Sequence, residues 1–581
     1  MNSNAIRERA AELRAQREAA KAGGASRPNA GALAPIIKLP TVAEPQEGTK
    51  AASTARGQLD QIAQQVQPAD AAARAAQATQ ALAGEFDPFE DQNGRFYVML
   101  RGGRRPEAVP LESEQVADAI RETARRNSKP MMGKDAIETV RSILRTSARA
   151  LSRRTVYQRI GMDGGDYLLD LGDADGHVVR VNAAGVTVET SNTIPFRRGR
   201  GYGALPMPTI PTSAAQAWEF VAPMVENVPE ADKLPVVAAA VEYLRADSPH
   251  PILEFVGPEG SGKTAVALAV KTAIDPFDGQ APSAGQDERD IVAAVQGSHV
   301  VLFDNVSRTG AGVEDLLCRV AMGGAVTQRA YYTNADSLTL QIHAAQIRTA
   351  LVPSLRQSDT LDRALIVPIK KPRAYRPEAE VRAEYAAKLP EVLGGLLFFL
   401  HVAMRDRATV AAQRAWKHRM VAWNQTGEAI AQALGHPPGY FVEMMAGKRQ
   451  RAAADYIEGD TFARALVKTL NTWAAEAKPA EKLPSYRQWQ KVPGWCAVRM
   501  KDRVLVTATA QTICAGITRH CDDWTSRGAG STLPSTARAT TGALQRVQGV
   551  LGRAGIEAAL QSISGAKNSA WVFLLPPTDG E

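Results

Sequence analysis

PILEFVGPEGSGKTAVALAVKTAI, residues 251 to 274, decides the fold. A strand-like apolar run leads into a glycine-rich loop, and a helix-like apolar run leads out of it. Within the loop, Gly257, Pro258, Glu259, Gly260, Ser261, Gly262, Lys263 and Thr264 satisfy G-x-x-x-x-G-K-[ST] at every fixed position. Glycines at 260 and 262 let the backbone curl. Successive N–H groups then face a β-phosphate at the positive end of the following helix. Lys263 is placed to reach the β- and γ-phosphates, and the Thr264 hydroxyl to hold Mg²⁺. The expected ligands are ATP and Mg²⁺, in an α/β domain built on a parallel sheet.

Further along, HVVLFDN (299 to 305) is an apolar strand ending in Asp304. A carboxylate at a strand end, downstream of a phosphate loop, is the second expected metal-side group. Thr264 and Asp304 are thus the candidate metal pair. Next comes Asn305, where hydrolases of this general kind carry a glutamate base. An amide cannot take a proton, yet it can orient a water, and hydrolysis depends mostly on positioning and charge stabilisation. The candidate catalytic set from these motifs is Lys263, Asp304 and Asn305.

Residues 251 to 372 resemble the ATPase module of superfamily III helicases, within the AAA+ class. The resemblance is strongest to ATP-binding proteins of bacteriophages and genomic islands. It is carried by GPEGSGKT, DERD (287 to 290), VVLFDNVS, LLCRVAMGGAVTQRAYYTNAD (316 to 336) and LDRALIVP (361 to 368). The resemblance implies that Gly323, Gly324 and Arg329 lead into a DNA-facing hairpin, NADSLTLQIHA, with His343 near its end. Arg329 and His343 become the candidate nucleic-acid contacts. It also places Arg363 as an arginine finger acting across a subunit boundary, which implies a homo-oligomeric ring, a hexamer. One departure stands out. ALVPSL (350 to 355) puts Pro353 and Ser354 where the family shows an asparagine, so Ser354 must serve as the γ-phosphate sensor or that role is lost. The implied function is an ATP-hydrolysing DNA translocase or helicase for phage or mobile-element replication. The alternative is a nucleotide-dependent DNA-binding or assembly switch without unwinding. A small-molecule kinase shares the loop but leaves a long C-terminal module without a use.

At 581 residues the chain is too long for a single core. Its 45% hydrophobic and 22% charged residues are ordinary for a soluble protein, and a net charge of +8 suits a polyanionic partner. The four cysteines, Cys318, Cys496, Cys514 and Cys521, form no disulfide framework and no paired zinc knuckle, so no zinc is expected. LGGLLFFLHVAM (393 to 404) is too short to span a bilayer and reads as a buried helix; no membrane partner is expected. The opening residues lack the apolar core of a signal peptide, which gives a cytoplasmic setting, bacterial or phage-infected.

Composition divides the chain into five parts. Residues 1–85 are an Ala/Arg-rich disordered tail, and 86–205 an α+β module ending in a Gly/Pro linker. The P-loop ATPase with a helical lead-in occupies 206–372, a helical bundle 373–450, and a C-terminal α+β part with a winged-helix pattern 451–581. Arg141, Arg145 and Arg149 recur every four residues, followed by Arg153, Arg154 and Arg159. Such a stripe either grips backbone phosphates or is a solvated face. DADGH (173 to 177) superficially resembles paired primase carboxylates but has the composition of a turn between β runs.

Overall fold

Phe86–Glu90 (β1), Phe96–Leu100 (β2) and Glu107–Pro110 (β3) pair antiparallel in that order. This is a computed structural model. It describes residues 86–100, 107–126, 132–190, 194–199, 201–278, 287–307, 309–329, 337–372, 374–416, 418–479, 495–500, 502–520, 533–562 and 569–576. The expected tail at 1–85 and Cys521 lie outside them. Helices Glu114–Arg126 (α1) and Lys134–Arg149 (α2) complete the first module. On α2 the buried residues Ile137, Val140, Leu144 and Ala148 fall at helical spacing and pack with Val98, Val109 and Ile120.

Most arginines of the stripe, Arg149 apart, are engaged within the protein. Arg141 is 7% exposed and donates to the carbonyls of Ser113 (2.7 Å) and Glu112 (3.3 Å) and to Glu138. Arg145 pairs with Glu112, Arg153 with Glu90 and Arg154 with Asp87. Fully buried Arg159 reaches Asp275 (3.2 Å) and the carbonyls of Asp170 and Gly203. Most of the stripe therefore fastens helix to sheet and module to module.

A meander of Ile160–Asp163 (β4), Asp166–Asp170 (β5), Val178–Asn182 (β6) and Gly185–Glu189 (β7) follows. DADGH is the β5–β6 connection, as its turn composition implied. Helices Ala214–Val221 (α3) and Glu230–Glu242 (α4) then lead to the central domain. Its elements are Ile252–Val256 (β8), Lys263–Ile274 (α5), Glu288–Gly297 (α6), Val300–Val306 (β9), Ala311–Met322 (α7), Ala325–Arg329 (β10), Ser337–Gln341 (β11), Ala345–Ala350 (β12), Ser358–Leu361 (α8) and Ala364–Pro368 (β13). The sheet is wholly parallel, in the order β13-β8-β12-β9. Every residue of β8 and β12 is buried, which is why these strands read as nearly unbroken runs rather than as alternation.

Glu378–Arg405 (α9) is long and apolar enough to cross a membrane by length and composition, but Leu389, Leu393, Leu396, Leu397, Phe399 and Leu400 are buried against α3, α4 and the β4–β7 sheet. The sequence LGGLLFFL explains the close contact with α3. A Cβ on Gly395 would stand 2.8 Å from the Ala217 carbonyl oxygen of α3, and one on Gly394 1.8 Å from the Thr209 carbonyl oxygen in the segment before it. One packed core accordingly runs from Ile160 to Met445.

The helices Arg407–Ala412 (α10), Val421–Ala433 (α11), Tyr440–Gly459 (α12) and Thr461–Ala475 (α13) connect to the C-terminal module. There, Lys478–Pro479 (β14), Trp495–Arg499 (β15), Val504–Thr509 (β16), Ala510–His520 (α14), Ala537–Arg553 (α15), Glu557–Ser562 (β17) and Ser569–Leu575 (β18) form a sheet in the order β14-β15-β16-β18-β17, with α13, α14 and α15 packed on it. The chain is thus a mixed α/β protein with one parallel sheet and many helices.

Candidate nucleotide site

The loop after β8 turns where glycine alone fits. Gly257 has φ +156°, and a Cβ there would lie 2.2 Å from the carbonyl oxygen of Ile369, just beyond β13. Gly260 (φ +72°) and Gly262 (φ +85°) curl the loop before α5 begins at Lys263. The first amides of α5 have no partners within the helix, so the helix turns its positive end toward the loop. Lys263 Nζ donates to the carbonyls of Gly257 (2.8 Å) and Pro258 (2.9 Å), folding back over the loop. Pro258, Glu259 and Gly260 are exposed. The hydroxyl of Ser261 is buried with no hydrogen-bond partner, an orphan inside the loop. Tyr375, 69% exposed, stands beside Gly260.

Across from the loop, the Thr264 hydroxyl donates to Asp304 Oδ1 at 2.9 Å. β9 is not adjacent to β8; β12 lies between them. The pairing of β12 with β9 shifts register between Arg348 and Ala350, so Asp304 and Asn305 together face Thr349. That bulge turns Asp304 toward the loop. Thr349, 1% exposed, donates to Asp304 Oδ1 at 2.6 Å and accepts from the Asn305 amide at 2.8 Å. Asn305 has φ +53°, among the described residues the one left-handed position that is not glycine, and its side chain is exposed. Asparagine tolerates this region better than glutamate does. A hard divalent cation takes oxygen ligands. A threonine hydroxyl and a carboxylate in contact, beside a lysine and a helix N-terminus, fit a magnesium-bound phosphate.

Other expected residues sit elsewhere. Ser354 is 2% exposed and bound to Glu254 on β8, its hydroxyl also accepting from Arg348 at 3.0 Å. It belongs to a buried charged cluster with Glu254 and Arg348. Burial pushes the Glu254 carboxyl up against the opposing pull of Arg348, whose own pKa burial lowers. Sequence reading missed Thr349, Glu254 and Arg348; no motif marks them.

The hairpin is real, but its strands are β10 and β11, so Arg329 ends its first strand and the tip lies outside the described residues. Gly323 and Gly324 precede β10. His343 is a correction. Rather than facing a nucleic acid, its ring stacks on His250 (centroids 4.2 Å apart) and bonds to the Ser248 carbonyl. Burial lowers its pKa to about 4, with nearby His299 acting in the same direction. His250, 1% exposed, also meets His299 edge-on, and burial lowers both of their pKa values.

Arg363 lies on the turn between α8 and β13. Its guanidinium is held in its own chain, paired with Asp359 (2.7 Å) and 11% exposed. Around it, Arg419 also pairs with Asp359, and Arg553 of the C-terminal module pairs with Asp362 (2.6 Å).

Residues 225–435 match the model of a family described as actinomycete integrative conjugative element replication protein. That span contains the glycine-rich loop, Asp304, the hairpin and Arg363. No curated protein matches the chain. Among solved structures, the chain is similar to the NrS-1 C-terminal region in its apo A form, with 9% identity, 85% of this chain and 98% of that one covered, and a TM-score of 0.35. A JCV helicase bound to a thiazolopyridine acetamide is similar at 18% identity over 38% of this chain and 66% of that one, with a TM-score of 0.20.

Proposed function

We propose that this protein binds and hydrolyses ATP with Mg²⁺ to drive a DNA translocase or helicase in the replication of a mobile element. The observation that carries the reading is the 2.9 Å contact between Thr264 and Asp304, made across the intervening strand beside Lys263. The match of residues 225–435 to a replication-protein family supports the biological setting, a bacterial cytoplasm.

Thr264 and Asp304 would hold the metal, and Thr349 would fix the Asp304 carboxylate. Lys263 would exchange two loop carbonyls for phosphate oxygens. The metal, once bound, neutralises charge developing on the phosphate oxygens. Asn305, exposed beside this pair, would orient water rather than take its proton, which implies slow turnover. A homo-oligomeric, hexameric ring would bring Arg363 to a neighbour's site, at the cost of its pair with Asp359. The C-terminal module would serve as a winged helix, and the β10–β11 hairpin would face the strand.

The pairing of Arg363 within its own chain and the burial of Ser354 favour a second reading, an ATP-dependent assembly switch on DNA without unwinding. ATP turnover with and without single-stranded DNA, beside unwinding of a forked duplex, separates the two for wild type and Lys263→Ala. DNA-stimulated turnover with unwinding, both lost in Lys263→Ala, is expected. Assembly on ATP with no unwinding would establish the switch, and no ATP binding would overturn both.

A further inference from the structure

In the N-terminal module, a cavity of about 310 Å³ is lined by Arg95, Phe96, Tyr97, Pro110, Glu112 and Arg197. Its charge is unusual for this region. Arg121, Arg125, Arg126, Arg141, Arg145, Arg153, Arg154, Arg159, Arg180 and Arg198 each pair with a carboxylate. Among the described residues of the module, Arg95, Arg149 and Arg197 form no ion pair; Arg95 and Arg197 line this cavity, and Arg149 covers the ring of Phe96, which also lines it. Arg149 lies over the Phe96 ring, 5.3 Å from its centroid. Arg95 donates to the Gln296 side-chain oxygen at 3.0 Å and Arg197 to the Gln296 carbonyl at 3.4 Å. Both acceptors are neutral, and each guanidinium has five N–H donors. Of the nearby acids, Glu112 is taken by Arg145, and Asp91 accepts from the amides of Asn93 and Arg95 (2.8 Å each).

The same turn reaches the hairpin. Asn93 Oδ1 accepts from the Gln341 amide, at the end of β11, at 2.8 Å. Cavity and hairpin strand are therefore joined by a few residues.

We infer that this cavity is a single-stranded nucleic acid site, in which Arg95, Arg149 and Arg197 take backbone phosphates and Phe96 with Pro110 forms an apolar wall for a base. Cationic grooves beside aromatic side chains are how single strands are held without sequence preference. A structural role alone, as cations near the C-terminal ends of α6 (Arg95 and Arg197) and α2 (Arg149), uses one donor of Arg95 and one of Arg197. The inference deepens the translocase reading and rests on it only for the choice of a nucleic acid strand.

Fluorescein-labelled oligothymidylate binding to the full chain, without nucleotide and across a salt series, tests it. Wild type is expected to bind, and Arg95→Ala/Arg197→Ala to bind on the order of tenfold more weakly. The slope of log affinity against log salt should shrink by about 1.4, at about 0.7 for each single-strand phosphate that the variant no longer neutralises. Should the double variant melt early, Arg149→Ala, on an exposed side chain, is expected to weaken binding with an unchanged melting temperature; Arg121→Ala should leave binding intact. Wild-type affinity and slope in both the double variant and Arg149→Ala would overturn the inference. So would no binding by wild type, or competition by thymidine monophosphate equal to that of the strand. Loss of ATP turnover in wild type alongside these expected shifts would defeat the ATPase reading and leave this site standing.

Discussion

Asn305 shows how one residue can mean something different from its place in a motif. Read as a replaced base, it signals weakened chemistry; in the structure it is the left-handed residue of a β-bulge whose amide binds Thr349. Asn305→Gly is therefore expected to keep the melting temperature while lowering ATP turnover. Asn305→Val, β-branched at φ +53°, should lose about 1 kcal/mol or more in denaturant titrations. Thr349 was illegible because its role depends on a register shift between neighbouring strands, which no spacing encodes. The surroundings of His343 were illegible for a similar reason. His343 follows the hairpin in sequence, but His250 and His299, from distant segments, decide its surroundings. All three have pKa values depressed in the folded state. Above pH 6.5 both folded and unfolded chains hold them neutral. Below it the unfolded chain takes up protons first, so stability should fall as pH drops from about 6.5 toward 4. Melting temperatures across that range should drop less in His343→Phe than in wild type.

At the scale of elements, the strand–loop–helix unit and the buried helix α9 were legible, because each is decided by local pattern. The loop needed only its glycines and flanks, and α9 only its apolar length and the absence of charge from 393 to 400. The α2 arginines were not, since their partners, Glu112 and the Glu112 and Ser113 carbonyls, lie on another element. Helical periodicity tells which residues share a face but not what covers it. If Arg141 is fastening, Arg141→Ala should cost about 2 kcal/mol by leaving buried carbonyls unpaired, whereas Arg149→Ala, exposed, should stay within about 0.5 kcal/mol. Chemical denaturation of the two variants checks the contrast. Equal, small losses would return the stripe to a solvated face.

Across the whole molecule, the C-terminal module is tied to the turn that carries Arg363. Arg553 donates to the Ser358 carbonyl at 2.8 Å and pairs with Asp362, and Gly549 packs so closely that a Cβ would meet the Ser358 hydroxyl at 2.0 Å. Composition could mark off this module but could not reveal where it docks. Arg553→Ala is expected to speed hydrogen exchange at Leu361, Asp362 and Arg363 while leaving the amides of β16 and β18 protected. Exchange unchanged at the turn would mean that the module does not hold it. The proposed ring assembly and strand movement would both require a nucleotide whose metal is held between the first turn of α5 and the end of β9. The Mg²⁺ dependence of ATP affinity, followed by calorimetry, tests that sharing most directly. Wild type should bind ATP more tightly with Mg²⁺ than without, and Thr264→Val and Asp304→Ala should each lose that increment, while Asn305→Ala keeps it. An increment that survives in Thr264→Val and Asp304→Ala, or is absent in wild type, would contradict a metal held between them.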